Sequence, residues 1–584
     1  MSAASPSTNR AGASLLLRGY GPLVAFMVFF ALMAMMVPTV GVDGQPASGP
    51  ADGTQAQPSQ PEAAEGAAGT AGDEPAPEAD ERDGAGPEVG EADPADGTQD
   101  AADPTGDRAT GEAGDGEGDS DGGGTTQAAA EGVQPCDDRE LQVPGDPYSP
   151  PCITFTGENP GATHRGVTED EILITARTPD EPGFQDELAN LAEADIADTP
   201  DDVRRTFDGL VDYFNERFEF YGRELRIEFY EGQGSPTTEL LGGGREEAQA
   251  DALTVAEKFG AFAEMNAGSE PFGDALSTQG VVNFGVPFLS RHWMTERRPY
   301  AWSMDTDCSI VAESGSIYAG TRLIDRDAEY ARGELQGNPR RIANIVPENP
   351  WYQECLDDSL AQLERQGQEV DLNLSYELNL GTLSNQAASL VARLQSEQIT
   401  TVICSCDPVL PVFLTARATE QGYTPEWVIT GVGFTDEDYV GQLFDQDQWS
   451  RAFGISYRGQ VEPLQASLGY NAYRQVRDDE PAFAVNGIYN SLYLLAIGIQ
   501  GAGPELTPAT FEQGMFDYPP RSGPQGTWGF GEQNYTPTED FREVYWDPDE
   551  ISPFNNERGA YIEAEPGVRH RPGELTEGGP KVPW

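Results

Sequence analysis

The sequence predicts an α/β protein built as two doubly wound parallel-sheet lobes joined by a hinge. Three observations carry that prediction. From Glu171 onward, short apolar runs alternate with stretches of helical periodicity, the pattern of parallel strands covered by helices on both faces. The alternation runs twice in tandem, once before about residue 304 and once after it. The length of 584 residues accommodates two such lobes and more, since a domain takes roughly 100–200 residues.

The N-terminus comes first in the chain and is of another kind. Residues 1–18 read as a short cytoplasmic tail carrying Arg10 and Arg18, and residues 19–42 as an apolar segment with no charge until Asp43. The run Leu23–Val42, at about 1.5 Å per residue, is long enough to cross a bilayer core of about 30 Å as a transmembrane anchor. The basic flank stays inside, so the rest of the chain faces outward. A cleaved signal peptide is the competing reading, with Leu23–Val37 as its apolar region and Pro38-Thr39-Val40-Gly41 as the cleavage site. Both readings export the chain. They place it at the cell surface, anchored to the cytoplasmic membrane, or secreted if the segment is cut. The first cysteine, Cys136, lies far beyond the apolar run, which excludes a lipoprotein-type anchor there.

Residues 43–135 hold 23 acids, two Arg and almost no apolar bulk. Such a chain buries too little surface to offset its ordering entropy, and the expectation is a disordered acidic linker with a reach of roughly 50–60 Å. Six cysteines follow: Cys136, Cys152, Cys308, Cys355, Cys404 and Cys406. An even number in an exported chain reads as disulfides, and the spacing matches no zinc site. Cys136 and Cys152 are expected to close a small loop in a leading segment, 136–165. Cys355 and Cys404 follow two strands that a doubly wound order can place side by side, which suggests Cys355–Cys404 with Cys308–Cys406 as the second bond.

The elements of the first series are a strand at Ile172–Ala176 and a helix at Asp202–Phe218, with Val203, Phe207, Leu210, Val211, Phe214 and Phe218 near 3.6 spacing. A strand at Leu225–Tyr230 ends in Gly232-Gln233-Gly234-Ser235-Pro236. A helix at Glu246–Lys258, strands at Phe259–Met265 and Val281–Phe284, and an extended stretch at Tyr300–Met304 complete the series. The second series gives helices at Ser309–Leu323, Trp351–Gln366, Leu383–Gln395 and Leu410–Gln421. Its strands are Arg341–Val346, Val370–Tyr376, Thr400–Cys404 and Trp427–Thr430, before a Gly431-Val432-Gly433 turn. Residues 551–584 form a C-terminal tail rich in Gly, Pro and charge, in which Tyr561-Ile562 suggests an edge strand.

Charge narrows the function. With 99 acidic against 35 basic residues the formal charge is −64, and residues 136–584 alone keep −45, which argues against nucleic acid or an anionic membrane surface as partner. Only Lys258 and Lys581 are lysines. Acid-rich, Lys-poor surfaces suit high salt, where repulsion is screened within a few Å; a GC-biased genome gives the same composition. Enzyme readings find little support. His164, His292 and His570 are widely spaced, and no nucleophile elbow, P-loop or H-E-x-x-H occurs. The Gly431–Gly433 G-x-G lacks the third glycine of a dinucleotide fingerprint. Nothing asks for a cofactor or a metal.

Gly166-Val167-Thr168-Glu169-Asp170-Glu171-Ile172, then Tyr213-Phe214-Asn215-Glu216-Arg217 and Tyr221-Gly222-Arg223-Glu224-Leu225, open the first series. Ile342–Val346 with Trp351-Tyr352-Gln353 opens the second, and Tyr489–Gly503 forms a late helix. In order and spacing these phrases resemble the type 1 periplasmic solute-binding family, particularly leucine/isoleucine/valine-binding proteins of ABC importers, over about residues 166–550. The resemblance implies a first lobe of 166–303 plus 460–522 and a second of 304–459 plus 523–550. It implies a small-molecule ligand between the lobes, delivery to ABC permease subunits in the membrane, and a monomer.

The family's lobe-one hydroxyls, which meet a ligand carboxylate, match Ser269 and Ser290; its lobe-two aromatic matches Tyr352. Its lobe-two acid has only Asp436 or Glu437 as counterparts, several residues late. The turn Thr178-Pro179-Asp180-Glu181-Pro182 also departs from the family's Gly- and Ser-containing loop, so an α-amino-acid ligand is not implied. Arg291, His292 and Trp293, which follow Ser290, offer contacts to an anionic or aromatic ligand. Each residue has a structural alternative. Ser269 caps the helix that begins at Pro271, Arg291 makes a surface ion pair, His292 is packed or exposed, Trp351 packs, and Asp436–Asp438 is a solvated acidic turn. The expectation is thus a non-enzymatic solute-binding protein for an amino acid, amide or related compound. A surface-tethered sensor, or an envelope-interaction protein on the same fold, is the alternative.

Overall fold

The computed structural model describes residues 132–178, 198–286 and 288–584. The expected membrane segment, and the acidic linker up to residue 131, lie outside them. The linker's last residues do not: β1 (Val133–Pro135) pairs antiparallel with β2 (Ile153–Phe155), Val133 opposite Phe155, where disorder was expected. The reason is the Cys136–Cys152 disulfide, which closes a loop of sequence separation 16 and holds the two flanks in register.

In the first series, β3 (Glu171–Arg177), α1 (Pro200–Arg217), β4 (Glu224–Tyr230), α2 (Pro236–Leu240), α3 (Arg245–Leu253), β5 (Ala263–Glu264), α4 (Glu270–Thr278), β6 (Val282–Phe284), α5 (Arg291–Glu296) and β7 (Ala301–Trp302) follow one another. The strands form one parallel sheet in the order β4-β3-β5-β6-β7. α1 starts where Thr199 caps it in a box with Asp202, and it buries Phe207, Leu210, Val211 and Phe214, the face that its periodicity marks. The strand expected over Phe259–Met265 is corrected to Ala263–Glu264. Helical backbone continues from α3 through a wider turn, Thr254–Phe259, and stops at Gly260 with φ +66°, so the apolar run spans a helix end and a short strand.

The second series holds α6 (Cys308–Tyr318), β8 (Ile342–Pro347), α7 (Pro350–Arg365), β9 (Leu372–Tyr376), α8 (Leu383–Ser396), β10 (Thr401–Cys404), α9 (Leu410–Glu420), β11 (Glu426–Ile429), α10 (Asp438–Gly441), α11 (Gln446–Trp449) and β12 (Phe453–Ser456). The chain then returns to the first lobe as α12 (Leu468–Val476), α13 (Val485–Ala502) and α14 (Pro508–Phe516). α13 is buried almost all round, with Leu492, Leu494, Leu495 and Ile497 inside, as a central core helix should be. It meets α1 through Phe214 and Tyr489, whose ring centroids are 5.3 Å apart. Against α14 the backbones nearly touch, since a Cβ on Gly501 would lie 2.6 Å from the Gly514 carbonyl oxygen. A short hairpin, β13 (Arg521–Gly523) and β14 (Gly526–Trp528), precedes β15 (Arg542–Ile551) and β16 (Arg558–Glu563).

The second sheet runs β16-β15-β12-β11-β10-β8-β9. The five strands β12-β11-β10-β8-β9 are parallel, and β15 and β16 are antiparallel additions at the β12 edge. β16 contains Tyr561-Ile562 as the outermost strand. Both lobes thus order their first five strands 2-1-3-4-5, a doubly wound arrangement whose switch point lies between the first and third strands. Among the described residues no helix is long and apolar enough to cross a membrane.

The other two disulfides correct the expected pairing. Cys308 bonds Cys355, and Cys404 bonds Cys406. Cys308 opens α6, which lies along α7, where Cys355 sits. Cys404 ends β10 and closes on its near neighbour, within a bend that Cys406 needs no other strand to make.

An interlobe cleft as the candidate functional site

The chain crosses between lobes three times, between Trp302 and Cys308, between Ser456 and Leu468, and between Trp528 and Arg542. At the carboxyl ends of both parallel sheets, where open α/β sheets bind ligands, lies a cavity of about 1350 Å³ lined from both lobes and from the crossings. Typical small-molecule pockets hold about 300–1,000 Å³, so the space admits a ligand with room to spare.

The lobe-one wall is organised by Arg177 at the end of β3. Its guanidinium donates to both oxygens of Glu239 at 2.8 and 2.7 Å and to Asp251 at 3.2 Å, and it lies 3.8 Å over the Phe272 ring. All three charged side chains are at most 2% exposed. The local sequence makes room for them. A Cβ on Gly234 would meet Glu239 Oε1 at 2.1 Å, and one on Gly232 would meet Arg177 Cδ at 2.5 Å. The backbone N–H groups of Gln233 and Gly234 donate to Asp251. Beneath, Glu264 is fully buried and accepts from Thr175 Oγ1 at 2.6 Å and Arg177 N at 2.8 Å; burial raises its pKa.

The floor, where the second crossing leaves β12, carries Arg458. It pairs with Asp436 at 3.3 Å and Glu437 at 3.0 Å and stands 5.1 Å over the Phe434 ring. Burial opposes its charge, but Glu437, Asp436 and Asp305 outweigh that and raise its pKa. Burial likewise raises Glu437 and Asp305. On the lobe-two wall Tyr352, from the first turn of α7, faces the cavity. Near it Tyr376 Oη donates to Asp407 Oδ2 at 2.5 Å, and burial raises both Tyr352 and Asp407. Cys404–Cys406 fixes the bend that delivers Asp407.

Three aromatic contacts, in two clusters, join the lobes across the cleft. Phe288 and Phe434 meet edge to face at 6.0 Å, and both have left-handed backbones, with φ 53° and 62°. Such backbones cost of order 1–3 kcal/mol each in bulky residues and collect at ligand clamps. Tyr439 and Phe554 close on Phe483 at 6.4 and 5.7 Å.

Of the residues singled out in the sequence, Ser269, Tyr352 and Asp436 line the cleft, whereas Ser290 and Arg291 do not. Ser269 is the N-cap of α4, accepting from Phe272 N, and its hydroxyl donates to Glu239 at 2.5 Å. Ser290 caps α5 and donates to Glu354 of the other lobe at 2.8 Å; it acts as an interlobe bond. Arg291 N donates to Ser309 Oγ at 3.1 Å. His292 is exposed, 3.5 Å from Glu296. Sequence reasoning missed Arg177, Glu239 and Arg458. Their partners are remote in the chain, although the Gly232/Gly234 pair was a visible sign of close approach. Among the described residues Glu543, Glu565 and His570 are close enough to share a metal. None of them lines the cleft, and Arg322 and Lys581 already pair with the two carboxylates.

Asp307, in the first crossing, gives the hinge a pH dependence. It caps α6 by accepting from Ile310 N at 2.9 Å, is 2% exposed, and is pushed up to about 6 by burial. Below about pH 4 both folded and unfolded chains hold the proton. Between about 4 and 6 only the folded chain does, so this contribution to stability is lost as pH rises, at up to about 1.4 kcal/mol per unit. Asn also caps helices. Urea unfolding at pH 4, 5, 6 and 7 should therefore show Asp307→Asn gaining on wild type by about 3 kcal/mol across that window; parallel curves would refute the assignment.

The Periplasmic binding protein family model matches residues 195–550. Among solved structures, a fatty acid ABC transporter substrate-binding protein from Thermomonospora curvata is 14% identical, covering 69% of this chain and 94% of its own, with a TM-score of 0.47. A leucine-binding protein from Thermotoga maritima is 12% identical, covering 69% and 100%, with a TM-score of 0.46. A branched-chain amino acid transporter substrate-binding protein from Streptococcus pneumoniae, in complex with isoleucine, is 12% identical, covering 68% and 100%, with a TM-score of 0.45. No curated protein sequence matches the chain. The family match takes in more than half of the sequence and most of both lobes that frame the cleft, and the chain belongs to the periplasmic binding protein family.

Proposed function

We propose that this protein is an extracytoplasmic solute-binding component of an ABC importer. It takes a small polar solute, of the class of amino acids, amides and related compounds, between its lobes and presents the closed form to a membrane permease. The observation that carries the reading is the cavity of about 1350 Å³ at the carboxyl ends of both sheets, spanned by three crossings that let the lobes hinge. The ligand acts by its greater affinity for the closed form, which shifts the open–closed equilibrium. The N-terminal apolar stretch, read as an anchor or signal, supports a place outside the cytoplasmic membrane.

Thermal unfolding of the purified full chain, in low and high salt, tests this. The library holds amino acids, amides, urea-like compounds, polyamines and aromatic acids. A ligand at 100 times its Kd should add about 2.7 kcal/mol of stability, and Tyr352→Ala should abolish the gain. No shift from any compound would overturn the reading and favour an envelope-interaction protein on this fold.

A further inference from the structure

Resting on the solute-binding part of that reading, and setting aside the amino acids within its ligand class, we infer that the solute is a small organic cation without a carboxylate group. A parallel lobe ordinarily offers an anion the N-terminus of a helix that follows a strand, and here that place is filled by the protein's own carboxylates. Ser269, the cap of α4, donates its hydroxyl hydrogen bond to Glu239 at 2.5 Å. The first residue of α4 is itself an acid: Glu270 is held there by Trp293 Nε1 at 3.2 Å and Arg245 at 2.7 Å. The second hydroxyl, Ser290, is spent on Glu354. Arg177 is spent on Glu239 and Asp251.

The only other basic residue lining the cavity, among the described residues, is Arg458, and its one charge faces Asp305, Asp436 and Glu437. Asp436 is further satisfied by Ser456 Oγ at 2.7 Å. No described residue donates a hydrogen bond to the Asp305 carboxylate. Counted at formal charge, three carboxyls against one guanidinium leave this floor two negatives in surplus, and burial presses Asp305 and Glu437 toward their protonated forms. An ammonium, amidinium or quaternary ammonium group relieves that cost, and a carboxylate adds to it. The walls suit the same guest. Phe288, Phe434, Tyr352 and Tyr439 line the cavity, and aromatic ring faces attract cations within about 6 Å. Phe434 already carries the Arg458 guanidinium at 5.1 Å, an internal example of what that face binds.

Calorimetric titration of the full chain distinguishes this from the reading on which it rests. The probes are choline, agmatine and spermidine, against leucine, glutamate, benzoate and calcium chloride. At least one organic cation should bind 100-fold or more tightly than every carboxylate probe. That affinity should fall at least 10-fold in Asp305→Asn and weaken as salt is raised in wild type, which serves should the variant not fold. Leucine, glutamate or benzoate binding best overturns the cation inference and leaves the solute-binding reading standing. Calcium as the sole binder overturns the inference too, and silence from all probes, together with a flat library screen, overturns both.

Discussion

Arg177→Met should lower the free energy of unfolding by about 3–5 kcal/mol, the cost of leaving buried carboxylates without their partner. The guanidinium is the shared counter-ion of Glu239 and Asp251, and none of the three side chains is more than 2% exposed. With it removed, Glu239 keeps only the Ser269 hydroxyl, and Asp251 keeps the N–H groups of Gln233 and Gly234. Methionine keeps an apolar stem of similar length but gives up the guanidinium stacked on Phe272, so the loss reports the charge together with that contact. Urea denaturation checks it, and the double variant Arg177→Met/Glu239→Leu should recover a good part of the loss. A single variant within about 1 kcal/mol of wild type would mean that water reaches these carboxylates. Because Arg177 and Ser269 both line the cleft, the same substitution should also deform the lobe-one wall.

Replacing Cys308 and Cys355 by Ala should cost about 4 kcal/mol, the loop-closure value for a separation of 47 residues. Removing Cys404–Cys406, whose separation is 2, should cost about 1 kcal/mol by the same reckoning. The comparison carries the test, since both bonds lie in lobe two. Equal losses in urea unfolding would show that native geometry, rather than unfolded-chain entropy, decides their worth. The larger bond also fixes α7, whose first turn bears Tyr352, so its loss should loosen the cleft wall as well as the lobe.

Much of the fold was legible because its signals are local. α1 shows its buried face in Phe207, Leu210 and Phe214, and β8, β10 and β11 are apolar runs between helices. The strands that escaped notice lack that mark. β12 contains Gly454, needed because a Cβ there would lie 2.0 Å from the Ile429 carbonyl oxygen. β15 begins with Arg542 and Glu543, charges that suggest surface, yet both are buried, on Glu563 and Arg322 respectively. The site divides in the same way. Tyr352 was readable from the family resemblance together with its place at the start of a helix after a strand. Arg177 was not, since Glu239 and Asp251 lie 62 and 74 residues away and nothing local announces such a meeting. Arg458 follows the unread β12 and was lost with it.

The return of the chain to its first lobe sets an order on how the molecule can assemble. The five strands of the first sheet are all made by Trp302, but α12, α13 and α14 are made only after β8 to β12 have emerged. Val485, Leu492 and Tyr489 complete the same core as Ile174, Phe214 and Val282, so one face of that sheet waits, uncovered, while another lobe is synthesised. The second lobe waits too, for β15 and β16 near the end of the chain. Neither half is therefore a vectorial folding unit. Contacts of such long sequence separation form slowly, and the nascent chain spends that interval with sticky surface exposed, a vulnerability to chaperone capture, aggregation and proteolysis that ends only when the last strands dock.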